Sequence, residues 1–169
     1  MRKYDTRDPL EIIHRENIKV IFSNKLNSLL GLYTYNWRHR IIIVNNMLDH
    51  LQLPVVLAHE LGHDMLHREL AKGTALQEFH LFDPVSQTER EANIFAAHLL
   101  LPDDTVLELA KTYDYDAQHI AGSLNINVNL VLLKIEELQQ RGYPVTVAES
   151  ADGKFLKKEA LRDETTFIA

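Results

Sequence analysis

The chain has no cysteine among its 169 residues. That excludes disulfides and every thiolate metal site, so any metal held here must take nitrogen and oxygen ligands. Long apolar runs are missing as well. No stretch approaches the roughly 18 residues a membrane-spanning helix needs. The N-terminal MRKYDTRDPLEIIHREN has no apolar core of the kind a secretory leader carries. The expected location is the cytoplasm. There is no excess of positive charge, and a formal net charge of −6 argues against broad attraction to nucleic acid or anionic lipid. Repeats and low-complexity linkers are absent. With 46% hydrophobic and 25% charged residues, the composition is that of one folded domain rather than a disordered chain.

What is present runs from strands to helices. DPLEIIHR reads as a short helix, with Asp8 as cap, Pro9 in the first turn and Leu10, Ile12 and Ile13 as its apolar face. IKVIF reads as a strand. GLYTYNWRHRIIIVN, rich in aromatic and β-branched residues, reads as a hairpin with NWRHR as its turn region. A helix is expected from about Leu51 to about Leu70, with Pro54 in its first turn. AKGTALQEFHLFDP looks irregular. SQTEREANIFAAHLLLP is a second strong helix stopped by Pro102, and DDTVLELAKTYD is a third. DAQHIAGSLNINVNLVLLKIEELQQRGYP reads as two more around the SLNIN turn, ended by Gly142 and Pro144. The tail from Val145 is charged and weakly patterned. Early strands followed by helices predict an α+β domain.

Nine histidines are present, and two of them fall in LPVVLAHELGHDMLH, residues 53–67. Four residues advance a helix by about 400°, so His59 and His63 lie on one face, about 6 Å apart along the axis. Two imidazoles so placed can converge on one ion at about 2.0–2.1 Å each. Glu60 lies about 100° around from His59: too far to ligate beside the histidines, near enough to take a proton from water activated at the ion. The plainer alternative is a pair of hydrogen-bonded core histidines. Val55, Val56 and Leu57 mark a buried helix. Gly62, costly inside a helix by about 1 kcal/mol relative to alanine, suggests the close approach of another element. His67 continues the same face but lies about 12 Å along the axis from His59, so it cannot share the ion and is expected to support the ligands instead.

A catalytic zinc usually has three protein ligands and one open position. TEREANIFAAHLLLP is the best source of the third. Glu89 and Glu91 are about 200° apart on a helix, so only one can face the ion. Spacing leaves both open, with Glu89 favoured because its face continues through Asn93, Ala96 and Leu100. Asn93 could accept a hydrogen bond from the outer nitrogen of a ligating histidine and fix its tautomer. Against this, SQTE matches a capping box in which Ser86 caps and Glu89 folds back onto the backbone. A helix beginning at Asp83, with Pro84 in its first turn, would leave Glu89 free to ligate.

AHELGHDMLH followed at this distance by EREANIFAAHLLLP resembles the ImmA/IrrE family of metallopeptidases, small zincin-like proteins of bacteria and phages. The resemblance covers about residues 10 to 140. It implies a zincin-like metallopeptidase domain over 1–144, with a small N-terminal sheet, the histidine helix, a third-ligand helix and a helical C-terminal part. Residues 145–169 form the tail. It implies Zn2+ as cofactor, held by His59, His63 and Glu89, with Glu60 as general base. It also implies that the GLYTYNWRHRIIIV strands form the sheet edge beside the metal cleft. Several members cleave a helix-turn-helix repressor to induce a mobile element, prophage or stress response, so a protein substrate of that kind is expected here.

The helical segment 115–142 has the rhythm of a helix-turn-helix itself. Its second helix, however, sets Lys134 against Glu136 and Glu137, and Asn127 and Asn129 could serve as caps, so packing or partner docking is favoured over direct nucleic-acid binding. His98, nine residues after Glu89, should face away from the ion. His80, Tyr33, Tyr35, Tyr113, Tyr115 and His119 are candidates for stabilising an oxyanion, and nothing in the sequence selects among them. Three functions compete. One is a zinc endopeptidase. Another is a regulatory protein that keeps the metal fold but acts by binding a repressor or DNA. The third is a hydrolase of a non-peptide substrate. A carboxylate at Glu60 favours the first, because a pure binder needs no base there.

Overall fold

The computed structural model describes residues 4–73, 75–78 and 86–147. Helix α1 (Pro9–Arg15) starts as expected: the Asp8 side chain accepts from Leu10 N–H at 2.9 Å, with Pro9 in the first turn. Strand β1 (Lys19–Ser23) follows, then the hairpin of β2 (Gly31–Asn36) and β3 (His39–Asn45). Its turn is only Trp37 and Arg38, both with positive φ (50° and 64°), the two-residue turn whose twist matches that of paired strands. The chain takes this turn without glycine, and Trp37 is left 87% exposed at its tip.

The sheet order is β1-β3-β2-β4, with β1 parallel to β3 and the other pairs antiparallel. Strand β4 (Leu76–Glu78) lies inside the stretch expected to be irregular. It pairs with Gly31–Tyr33, so β2 is an inner strand, and β4 rather than the hairpin forms that edge of the described sheet. Only three residues long, β4 carries too little alternation to announce itself in the sequence.

Helix α2 (Gln52–Leu66) crosses the sheet, and every residue from Val55 to Asp64 is buried. A helix with no solvent face over ten residues is the centre of its domain. Pro54 sits in its first turn as expected. Asp49, three residues upstream of the helix, accepts from Leu51 and Gln52 N–H at 2.9 and 2.7 Å. The helix ends at Leu66 with His67 as its cap, earlier than the expected Leu70, and a turn carries residues 68–71.

Helix α3 (Gln87–Leu100) packs across α2. Gly62 is where they meet: a Cβ there would lie 3.2 Å from Ala92 Cα and 3.2 Å from Phe95 Cβ. Ala92, Ala96 and Ala97 keep the α3 side of this contact small and buried. The α+β layering is completed by α4 (Asp103–Thr112), α5 (Ala117–Leu124) and α6 (Val128–Gln140), with α6 against α3. Asn125, left-handed at φ 51°, ends α5, and Asn127 caps α6 by accepting from Asn129 N–H at 2.9 Å. Val145 is buried, and its carbonyl accepts from Gln139 Nε2 at 2.8 Å. The charged tail lies outside the described residues beyond Val147. Among the described residues, no helix is long and apolar enough to cross a membrane.

Candidate metal centre

One turn of α2 brings His59 and His63 together, with their Nε2 atoms 3.0 Å apart. Glu89, from the first turn of α3, reaches the same point: its Oε2 lies 3.1 Å from His59 Nε2 and 3.4 Å from His63 Nε2. Both rings are buried, and the Glu89 side chain is 13% exposed.

The outer ring nitrogens decide what this triangle is. His59 Nδ1–H donates to Asn93 Oδ1 at 2.9 Å. His63 Nδ1 faces His67 Nδ1 at 3.1 Å. With the protons of His59 and His63 on Nδ1, both Nε2 atoms present lone pairs toward each other and toward a carboxylate oxygen. Such an arrangement is repulsive in itself and becomes attractive around a cation. Its size fits: two ligands at about 2.0–2.1 Å from an ion with tetrahedral angles stand about 3.3 Å apart. The donor atoms of His59, His63 and Glu89 form a group able to hold a metal ion. Burial, with repulsion from His59 and His67 added, holds the His63 imidazole below its ordinary pKa against the pull of Glu89. The neutral ring is the form that ligates.

The choice posed between a capping Glu89 and a ligating Glu89 does not arise. Ser86 does cap α3, accepting from Glu89 N–H at 3.3 Å, while the Glu89 carboxylate turns to the histidines. The cap uses the residue's backbone and the cluster uses its side chain. Glu91 goes elsewhere, its Oε2 lying 2.9 Å from His67 Nε2.

Glu60, the next residue after His59, is completely buried. Its carboxylate fits beside β2 only because residue 31 is glycine: a Cβ there would stand 2.6 Å from Glu60 Oε1 and 2.8 Å from Val56 Cγ1. Sequence reasoning passed over Gly31, although a glycine opening a strand is a known mark of close approach. It also missed Asp64. This buried carboxylate accepts from Tyr33 Oη at 2.8 Å, Arg40 Nε at 3.0 Å and Arg68 Nη2 at 2.9 Å, tying α2 to the sheet. The i,i+4 spacing of Asp64 and Arg68 was the available signal.

The oxyanion candidates fare unevenly. Tyr33 is buried and its hydroxyl is committed to Asp64; burial and that carboxylate push its pKa up. Tyr113, Tyr115 and His119 stack on one another around the start of α5, with ring centroids 5.6–5.7 Å apart. Tyr35 has Lys72 Nζ 6.0 Å from its ring centroid. His80 lies outside the described residues. His98 does face away from the cluster, toward Lys134 and Glu137 of α6. Lys134 is itself fully buried against Asp103 and His98, so it is no phosphate contact, and the α5–α6 pair is packed as part of the domain.

A four-stranded sheet crossed by a buried His-Glu-x-x-His helix, completed by a glutamate from the next helix, defines a zincin-like domain with a candidate metal site. Residues 13–136 match Peptidase_M78, the IrrE N-terminal-like domain, and the chain belongs to that family. It is also similar to a protein of Bacillus phage phi105 named uncharacterized immunity region protein 2. The two are 36% identical over 134 residues, covering 79% of this chain and 83% of the phage protein.

Proposed function

We propose that the protein is a zinc-dependent endopeptidase that cleaves a helix-turn-helix transcriptional repressor, and so induces a mobile element, prophage or stress response. The observation that carries the catalytic half is the convergence of two imidazole nitrogens and a carboxylate oxygen within 3.0–3.4 Å. The buried Glu60 lies in the same helical turn. His59, His63 and Glu89 would hold the ion. Asn93 orients His59, and His67 supports His63. When bound, zinc would supply a Lewis acid that polarises the scissile carbonyl and acidifies water. Glu60 takes the proton of the attacking water and passes it to the leaving amine. The substrate half is supported by family membership and by the phage relative, whose name places it in an immunity region.

A regulatory protein that binds a repressor or DNA without cutting it is the second reading. A fully buried carboxylate beside the first histidine, with Gly31 making room for it, favours catalysis. Glu60→Gln separates the two readings. It keeps the size of the side chain but removes its basicity, so the variant should fold and retain zinc. Cleavage of a helix-turn-helix repressor that the wild type cuts, followed by gel and mass spectrometry, should drop by about 10²–10⁴-fold. Equal cleavage by both proteins removes Glu60 from the mechanism. Zinc-dependent binding with no cleavage by wild type moves the weight to the regulatory reading.

A further inference from the structure

His63 is supported differently from His59. The outer nitrogen of His59 meets an amide oxygen, an acceptor with no choice of protonation. The outer nitrogen of His63 meets another imidazole, whose Nδ1 can be donor or acceptor. What settles that choice is the far side of the second ring, where His67 Nε2 lies 2.9 Å from Glu91 Oε2. A carboxylate there only accepts, so the proton of neutral His67 resides on Nε2 and its Nδ1 carries a lone pair. That lone pair can receive a hydrogen bond only from His63 Nδ1–H. With its proton on Nδ1, His63 offers Nε2 to the ion. With His67 neutral, each link follows from the one before. Glu91 is itself held at both oxygens, since Gln87 Nε2 donates to Oε1 at 2.7 Å.

We propose that Glu91 and His67 form a positioning relay, fixing the Nδ1–H tautomer of His63 and so presenting Nε2 to the metal. The inference rests on the metal reading above and deepens it, giving a task to the second glutamate of EREAN, which ligation leaves unused. Neither residue touches substrate or ion. Both act through His63. The relay spans from Glu91, whose side chain is 43% exposed, to a ring with 1% exposure, so its outer end can be altered with little disturbance of the core.

A merely structural role, tying the end of α2 to α3, makes different predictions. The probe is zinc ion alone, its affinity measured by competition with a chromophoric chelator. His67→Leu, which removes the acceptor, should weaken binding by about 10–100-fold. His67→Asn places Oδ1 where the ring's Nδ1 stood and should restore most of that loss. Glu91→Ala should cost about 10-fold in the wild-type background but nothing in the His67→Asn background, where no second ring remains to orient. Equal effects of Glu91→Ala in both backgrounds would overturn the relay. Nitrogen-15 imidazole spectra of the zinc-loaded wild type give an independent reading that needs no variant to fold. They should show His67 protonated at Nε2 only, and a proton on its Nδ1 rules the relay out. His63→Ala serves as the control. If it loses zinc while His67→Leu binds as wild type does, the relay fails and the metal site stands. If it keeps zinc, the metal site falls and the relay with it.

Discussion

Two polar clusters sit on opposite sides of α3, built from the same side-chain types and opposite in design. On one side His59, His63 and Glu89 bring two ring nitrogens and a carboxylate oxygen to a common point, with no cation of the chain among them in the described residues. On the other, His98, Asp103 and Glu137 surround a cation the chain already carries, the ammonium of fully buried Lys134. It donates to Asp103 and, at 2.8 Å, to His98 Nδ1. Arg141 adds a second cation at 2.7 Å from Asp103. Burial pushes the Lys134 ammonium down against the pull of Asp103. Burial pulls the Asp103 carboxyl up but is outweighed by Lys134 and Arg141, which hold it below the usual range. Histidine beside carboxylate is therefore not a metal signature by itself. The distinction lies in whether the cluster supplies its own positive charge.

Removing a lone pair from the first cluster should have the largest effect. His59→Ala or His63→Ala is expected to abolish a stoichiometry of about one zinc per chain in protein purified without added metal. Glu89→Ala should weaken binding far more than the roughly 10-fold expected of Glu91→Ala. Stoichiometric zinc in the double histidine variant, or the reverse order of the two glutamates, would erase the contrast between the clusters.

Removing the cation from the second cluster should cost stability instead. Lys134→Met leaves Asp103 with Arg141 alone and loses about 1–3 kcal/mol, less than for a fully buried pair because Asp103 is 28% exposed and keeps one cation. Urea denaturation measures that loss, and zinc affinity should not change. A loss of zinc affinity without a loss of stability would mean that the two sides of α3 are coupled.

The clusters also differ in how far each was legible in the sequence. His59, Glu60 and His63 occupy one helical turn, so local geometry alone sets their separation. Asn93 could be placed because it follows Glu89 by one turn. Choosing Glu89 over Glu91 required either the packing of α3 on α2 or the family resemblance. That Ser86 uses the backbone of Glu89 while the cluster uses its side chain was not foreseeable from a motif that offers these as alternatives. The Lys134 cluster draws on α3, α4 and α6, and no spacing rule links residues 98, 103 and 134. Strand β4 was missed for a related reason: its three residues are ordered by pairing with Gly31–Tyr33, not by their own pattern.

A third substitution tests whether function in the first region can be lost while the metal site is kept. The Cβ of Gly31→Ala would fall 2.6 Å from Glu60 Oε1, the end of a flexible side chain, and 2.8 Å from a Val56 methyl. Moving the carboxylate relieves the first contact, and the buried Val56 side chain must shift to relieve the second. The variant should fold with a loss of about 1–3 kcal/mol from the overpacked Val56 and keep its zinc, while peptide cleavage falls by about 10²-fold, the usual result of displacing a catalytic group by about 1 Å. Full activity would show that Glu60 works from a position other than the one described.

The smallest expected effect is a pH dependence originating in the second cluster. The charged groups facing His98 are Lys134, 2.8 Å from Nδ1, Asp103, 3.9 Å from Nδ1, and Glu137, 3.6 Å from Nε2, with Arg141 behind Asp103. Burial, then repulsion from Lys134, lowers the His98 pKa despite the two carboxylates. The folded state therefore binds this proton less readily than the unfolded state, whose histidine titrates near about 6.5. The stabilisation is complete above that value and is lost as pH falls through it. Asp103, also lowered, extends the loss in the same direction at more acid pH. Buried His63 adds a slope of the same sign in metal-free protein, so the test is a comparison between variants. Metal-free wild type should lose more melting temperature between pH 7.5 and 5.5 than His98→Gln. The difference should be on the order of 1–2 °C, since His98 is 36% exposed and water screens it. Identical slopes would mean that Asp103 and Glu137 fully offset burial and Lys134, so that His98 binds its proton equally in the folded and unfolded chains. The cation of the second cluster would then act on Asp103 alone, and the contrast with the first cluster would narrow to that one pair.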